Sequence, residues 1–172
     1  IIFLTIQNSE YICSGQIIKT NKLRNQLSMD FEKNIGRYIG RLSYLGLKRM
    51  NELLTEAGTG ITADQFRLLT HLWKQDGIPQ QQLALILGRD RAGVTRMVDI
   101  LENQHIITRI ADINDRRINL IFLTKTGKEL ETKAAECAQK YLNEMMEGFS
   151  EDEKQQFSDL LLRAVNNLKK QK

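Results

Sequence analysis

The stretch 88–127, GRDRAGVTRMVDILENQHIITRIADINDRRINLIFLTKTG, decides how the chain folds. Asp90 stands where a helix N-cap is needed, because its short carboxylate can accept from amides two or three residues on. Behind it Val94, Met97, Val98 and Leu101 recur at i, i+3, i+4 and i+7 and form one buried stripe. The opposite face carries Ala92, Thr95, Arg96 and Asp99, with Arg91 at its leading edge. Short and polar side chains near a helix N-terminus suit entry into a DNA major groove. Residues 106–110 and 118–123 then read as two short apolar strands that pair as a hairpin. Its polar tip, 112–117, ends in Arg116 and Arg117. A groove-reading helix followed by an arginine-tipped hairpin predicts a winged helix-turn-helix, with double-stranded DNA as its partner.

Outward from this stretch the pattern is helical. Phe31, Ile35, Ile39, Leu42, Leu45, Met50, Leu53 and Leu54 predict a long first helix over 30–57. Thr62 and Gln65 have the spacing of a capping box, opening a second helix that faces Phe66, Leu69 and Leu72 inward and ends near Gly77. Pro79 suits the first turn of a third helix reaching Leu87, where a missing N–H costs nothing. Gly88 breaks that helix before the reading helix begins. After the hairpin, Thr124 or Thr126 caps a long helix to about Glu147. Ser150 and Glu153 box the start of a last one, striped with Phe157, Leu160, Leu161, Ala164 and Leu168. The expected fold is mainly α with a small β-hairpin wing. Its winged helix-turn-helix core occupies 61–124, flanked by dimerisation helices at 30–57 and 126–172.

Residues 1–28 sit apart, with short apolar runs among Asn, Ser and Gln and no sustained helical period. Two readings stand: a non-native segment preceding Met29, or an extension that packs on the dimer, with 29–172 as the subunit.

Composition narrows the function. Of 172 residues 41% are hydrophobic and 27% charged, ordinary for a globular chain, and the net charge is only +4. Within 88–117, Arg89, Arg91, Arg96, Arg109, Arg116 and Arg117 are offset by Asp90, Asp99, Glu102, Asp112 and Asp115. Placement of arginines, rather than bulk charge, must therefore carry polyanion binding. Cys13 and Cys137 have no metal-ligand spacing and build no disulfide framework, so they read as reduced thiols. His71 and His105 belong to no ligand or triad pattern, and no glycine-rich phosphate loop precedes a helix. No catalytic residue, metal or cofactor is expected. No apolar run approaches the ~18 residues of a membrane span, which predicts a cytoplasmic protein.

The segments VTRMVDILENQHIITR, 112–117 (DINDRR) and 123–127 (LTKTG) resemble the recognition helix, wing and wing exit of the MarR family, in the family's order and spacing. The resemblance runs from about Asp30 to the end of the chain. It departs at Asn114, where the family's wing often has an arginine, which puts one phosphate contact in doubt. The resemblance implies a transcriptional regulator, expected to repress, that binds a palindromic operator as a homodimer. Two symmetric recognition helices would lie about 34–36 Å apart, one turn of DNA. The residues themselves allow Arg91 and Arg96 to reach base edges or phosphates, and Thr95 to offer its hydroxyl or pack on a thymine methyl. Gln80 and Gln81 can donate to phosphates. At the wing, the resemblance implies that Asp115 orients the hairpin and Arg116 enters the minor groove; Arg117 can instead pair with Asp112 or Asp115 and hold the turn. It also implies a crevice for a small lipophilic or phenolic effector, for which Tyr38, Tyr44, His71 and Trp73 are the candidates. Neither cysteine falls where oxidant-sensing members carry theirs. A protein-interaction module on the same scaffold is the alternative to DNA binding.

Overall fold

In the computed structural model the described residues are 11–13, 16–18 and 34–169. They divide between two compact units, Ile1–Leu45 and Gly46–Lys172. In the first, β1 (Tyr11–Cys13) and β2 (Gln16–Ile18) pair antiparallel with Tyr11 opposite Ile18. The rest of the 1–28 segment, and the predicted helix opening at 30–33, lie outside the described residues. The first long helix, α1, is Ile35–Glu56. Ahead of it the Asn34 carboxamide oxygen accepts from the Gly36 amide at 2.7 Å. Ile35, Ile39, Leu42 and Leu45 are all exposed on its first half.

The second unit is built on three helices and a small sheet. Met50, Leu53 and Leu54, on the last turns of α1, are buried. Next come α2 (Ala63–Lys74), β3 (Ile78–Pro79), α3 (Gln80–Leu87) and α4 (Arg91–Asn103). The predicted capping box forms: Thr62 Oγ1 accepts from the Gln65 amide, and Gln65 Oε1 accepts from the Thr62 amide at 2.7 Å. Leu68, Leu69 and Leu72 of α2, Leu83 of α3, and Val94, Val98 and Leu101 of α4 are essentially fully buried. Gly88 closes α3 in the left-handed region, φ 61°, which a glycine adopts without a Cβ clash. That residue makes the tight turn between α3 and α4.

The hairpin is β4 (Ile107–Ala111) against β5 (Asn119–Leu123), in the register Arg109 opposite Ile121. It carries a third strand absent from the sequence reading. β3 pairs on the other edge of β5, Ile78 opposite Ile121, giving the antiparallel order β3-β5-β4. Pro79 accordingly ends a strand and stands at the N-cap of α3, with φ −56° and ψ 132°, instead of occupying its first turn. An edge strand tolerates proline because only one side of its backbone must bond.

After the hairpin, Thr124 rather than Thr126 caps α5 (Lys125–Met145), accepting from the Gly127 amide at 3.1 Å. The Ile106 carbonyl accepts from the Thr124 amide at 3.0 Å, and the Thr124 hydroxyl donates to the His105 carbonyl at 2.6 Å. A Cβ on Gly127 would overlap the Ile106 carbonyl oxygen, so α5 starts directly against the entry to β4. Trp73 Nε1 donates to the Gly127 carbonyl at 2.9 Å and ties in α2. Farther along, Glu144 receives Arg49 of α1 in a two-pronged pair at 2.7 and 2.9 Å. This pairing pushes the Glu144 carboxyl below its ordinary range. Ser150 and Glu153 form the expected box at the start of α6 (Glu151–Lys169). No residue of α6 is buried, although Leu160, Leu161, Leu162, Val165 and Leu168 lie on it.

Gly127→Ala should therefore lower stability by about 1–3 kcal/mol, the cost of forcing atoms into a packed site. Urea denaturation would read this as a lower midpoint at unchanged slope; an unchanged midpoint would contradict the close approach.

Candidate nucleic-acid interface

Helix α4 turns its apolar stripe into the core, which leaves the other face to solvent. Asp90 caps it, its Oδ1 accepting from the Gly93 amide at 2.7 Å. That bond holds the Asp90 carboxyl below its usual range, and the nearby charge of Arg96 lowers it further. Arg91, Ala92 and Arg96 are exposed, and Thr95 is half-buried. Gln81 is exposed on the first turn of α3, whereas Gln80 is half-buried and points at α4. Its Nε2 donates to Thr95 Oγ1 at 2.9 Å, and the Thr95 hydroxyl donates to the Arg91 carbonyl at 2.9 Å.

The wing tip is ordered by its own carboxylates. Asp112 Oδ1 accepts from the amides of Asn114 and Asp115, at 2.8 and 3.0 Å. Asp115 accepts from the Arg117 amide at 3.0 Å and takes both Nε and Nη2 of that guanidinium at 2.9 Å. The pair pushes Asp115 down and Arg117 up from their ordinary values. Of the two readings of Arg117, pairing with Asp115 is the one observed. Arg116 is exposed and makes no ion pair among the described residues.

The arginines thus separate into two groups. Arg89 pairs with Asp64 of α2, Arg109 with Asp99 and Glu102 of α4, and Arg117 with Asp115. Arg91, Arg96 and Arg116 have no salt bridge among the described residues and face solvent, two in the first half of α4 and one at the wing tip. Sequence reasoning counted Arg109 with the rest. Its strand position opposite Asp99 and Glu102, themselves i, i+3 on α4, was the available signal that it is held inside.

Of the effector candidates, Tyr38 and Tyr44 belong to the first unit and His71 and Trp73 to the second. Tyr38 and Tyr44 are exposed on α1, and His71 is half-buried on α2. Trp73, its N–H already bonded, stacks at a tilt on Phe66 and lines a groove of about 310 Å³ with Phe66 and Leu142. His71 does not line that groove. Cys137 is buried, its thiol directed at the Leu53 carbonyl. Among the described residues no His, Cys, Asp and Glu cluster is arranged to hold a metal, and no helix is long and apolar enough to cross a membrane.

Residues 61–118, from the α2 cap through the wing tip, match the MarR family model. The HTH-type transcriptional regulator YdgJ of Bacillus subtilis (strain 168) is 32% identical over 123 residues, which span 72% of this chain and 75% of YdgJ. Among solved structures, a MarR transcriptional regulator from Methanosarcina mazei Go1 is 28% identical with a TM-score of 0.71, covering 78% of this chain and 96% of that one. The transcriptional repressor CouR shares the fold in two states. Bound to a 23-mer DNA duplex it has 22% identity, TM-score 0.73 and coverage of 80% and 96%. CouR from Rhodococcus jostii RHA1 bound to p-coumaroyl-CoA has 24% identity, TM-score 0.68 and coverage of 78% and 93%. A capped reading helix, a carboxylate-ordered wing and these likenesses agree, and the chain belongs to the MarR family of winged-helix transcriptional regulators.

Proposed function

We propose that this regulator represses transcription by binding a palindromic operator as a homodimer, and that a small lipophilic effector releases it. The observation that carries the reading is the sorting of the arginines. Within 88–117 Arg89, Arg109 and Arg117 are paired with carboxylates, whereas those at the two elements that would meet DNA, Arg91 and Arg96 on α4 and Arg116 on the wing, have no carboxylate partner among the described residues. Arg91 and Arg96 would meet base edges or phosphates, since a guanidinium matches guanine in the major groove. Ala92 and Thr95 would lie against the bases between them. Gln81 and the second amide hydrogen of Gln80 would donate to phosphates, setting register. Arg116 would enter the minor groove, whose potential attracts a cation where A·T pairs narrow it. Asp115 and Arg117 would hold the hairpin that delivers it.

Dimerisation is supported by apolar surface that the chain itself leaves uncovered. Ile35, Ile39, Leu42 and Leu45 on α1 and Leu160, Leu161, Leu162, Val165 and Leu168 on α6 are exposed. A second copy would cover these faces, and a two-fold pair would present two recognition helices to adjacent grooves. The effector reading draws on CouR, which is solved with p-coumaroyl-CoA; Tyr38, Tyr44, His71 and Trp73 remain its candidates here. Binding would act by shifting the population of helix spacings.

The two reading elements should fail differently. Arg116→Ala should weaken binding and reduce the slope of log affinity against log salt by about 1, with base preference little changed. Arg96→Ala should cost about 1–3 kcal/mol on the operator and much less on scrambled duplex. Titrations of both variants on both duplexes at several salt concentrations separate these outcomes; no loss for either variant on any duplex would sink the assignment. Ending the chain before Ser150 should convert dimer to monomer or aggregate in sedimentation and abolish operator binding. A stable monomer that still binds the operator would refute the dimer.

A further inference from the structure

The wing strand and the reading helix are joined by a hydrogen-bond relay whose polarity is dictated by chemistry. Arg109 on β4 has a side chain that is only 20% exposed. Its Nη1 and Nη2 donate to Glu102 and Asp99 of α4, and Glu102 also accepts from the Arg109 amide at 2.9 Å. The remaining donor, Nε, reaches Gln80 at 3.2 Å. A guanidinium can only donate, so the Gln80 atom facing it is the carbonyl oxygen Oε1, and the amide nitrogen is turned toward Thr95. That nitrogen in turn can only donate, at 2.9 Å, so Thr95 Oγ1 accepts and its single hydrogen goes elsewhere. It goes to the Arg91 carbonyl one turn back, at 2.9 Å. Three residues from three elements, Arg109, Gln80 and Arg91, thereby settle the hydroxyl of Thr95 on the reading helix.

We propose that Arg109 is a positioning residue for sequence recognition: by orienting Gln80 it occupies the Thr95 hydroxyl and commits Thr95 to reading a thymine methyl with its own methyl group. The inference rests on the DNA-reading role proposed above for α4. With its hydrogen and one lone pair engaged, the Thr95 hydroxyl can no longer donate to a base acceptor and keeps a single lone pair, which leaves the methyl as the main feature the side chain offers. Ala92 lies three residues earlier, hence beside Thr95 on the helix surface, and is exposed. Two small apolar groups side by side near a helix N-terminus match the thymine C5-methyl, the one apolar feature on the major-groove edge. Arg109 does this without touching DNA.

The experiment begins with the full chain selecting its preferred duplex from a random-core library. Each thymidine of that duplex is then replaced in turn by deoxyuridine, which removes only the methyl. The wild-type protein is expected to bind about fourfold more weakly at one position per half-site, the worth of one methyl-sized apolar group. Thr95→Val, which keeps a methyl and loses the hydroxyl, should retain both the affinity within about twofold and the thymine preference. Thr95→Ser, which does the reverse, should bind the two duplexes equally. Arg109→Lys keeps a cation for Asp99 and Glu102 but carries its three donors on one terminal nitrogen, so it lacks the separate Nε that reaches Gln80. Its thermal melting should stay near wild type while the thymine preference falls below twofold. The proposal is overturned if Thr95→Val weakens binding tenfold or more while Thr95→Ser binds like wild type, or if no thymine in the selected duplex is methyl-sensitive. A library from which no duplex is enriched overturns the DNA-binding reading together with this one.

Discussion

The carbonyl oxygen of Ile106 is where the parts of the DNA-binding unit are fastened to one another. It ends the turn after α4, opens the hairpin, and accepts from the Thr124 amide, while the Thr124 hydroxyl donates to the adjacent His105 carbonyl. Through Thr124 it caps α5, and the absence of a side chain at Gly127 lets that helix begin against the strand. The Gly127 carbonyl then takes the Trp73 indole N–H, so α2 meets α5 and the hairpin at the same place. Any loosening here would move the hairpin relative to α4, because the two share no other covalent support than the short turn through His105. That turn has its own constraint: His105 adopts φ 57°, uncommon for a side-chain-bearing residue.

Electrostatics in the unit works by subtraction. Arginines at 89, 109 and 117 are neutralised by carboxylates that serve structure, holding α3 to α2, β4 to α4, and the wing tip to itself. The pairs at Arg89 and Arg117 are well exposed, and exposed pairs add little stability; their effect is to fix geometry and to remove charge from the long-range field. The modest net charge of +4 fits this arrangement.

Local signals carried well from sequence to structure. The caps at Thr62, Asp90 and Ser150 and the stripe Val94, Val98, Leu101 depend on neighbours within a helical turn or two, and each formed as its spacing predicted. What escaped was non-local. β3 is two residues long, too short for any periodicity, and exists only because Ile78 and Pro79 find β5 some forty residues on. The position of Arg109 in a cage of Asp99, Glu102 and Gln80 likewise depends on the hairpin folding back on α4. Arg117 was open between two roles because composition cannot distinguish a paired guanidinium from a free one; the turn geometry at Asp115 does. The stripes of α1 and α6 were legible as apolar but not as exposed, since spacing alone does not tell a buried stripe from an uncovered one.

The wing tip is held by six hydrogen bonds to Asp112 and Asp115 made entirely within the hairpin, counting two side-chain bonds from Arg117, three from backbone amides at 114, 115 and 117, and the Ile118 amide to the Asp115 carbonyl. Its shape consequently owes nothing to a bound duplex. A loop that orders only on contact surrenders conformational freedom at that moment, at about 0.5–1.5 kcal/mol for each immobilised side chain. Here that entropy is lost once, during folding, and under the proposed reading only the Arg116 side chain would remain to be immobilised at the groove.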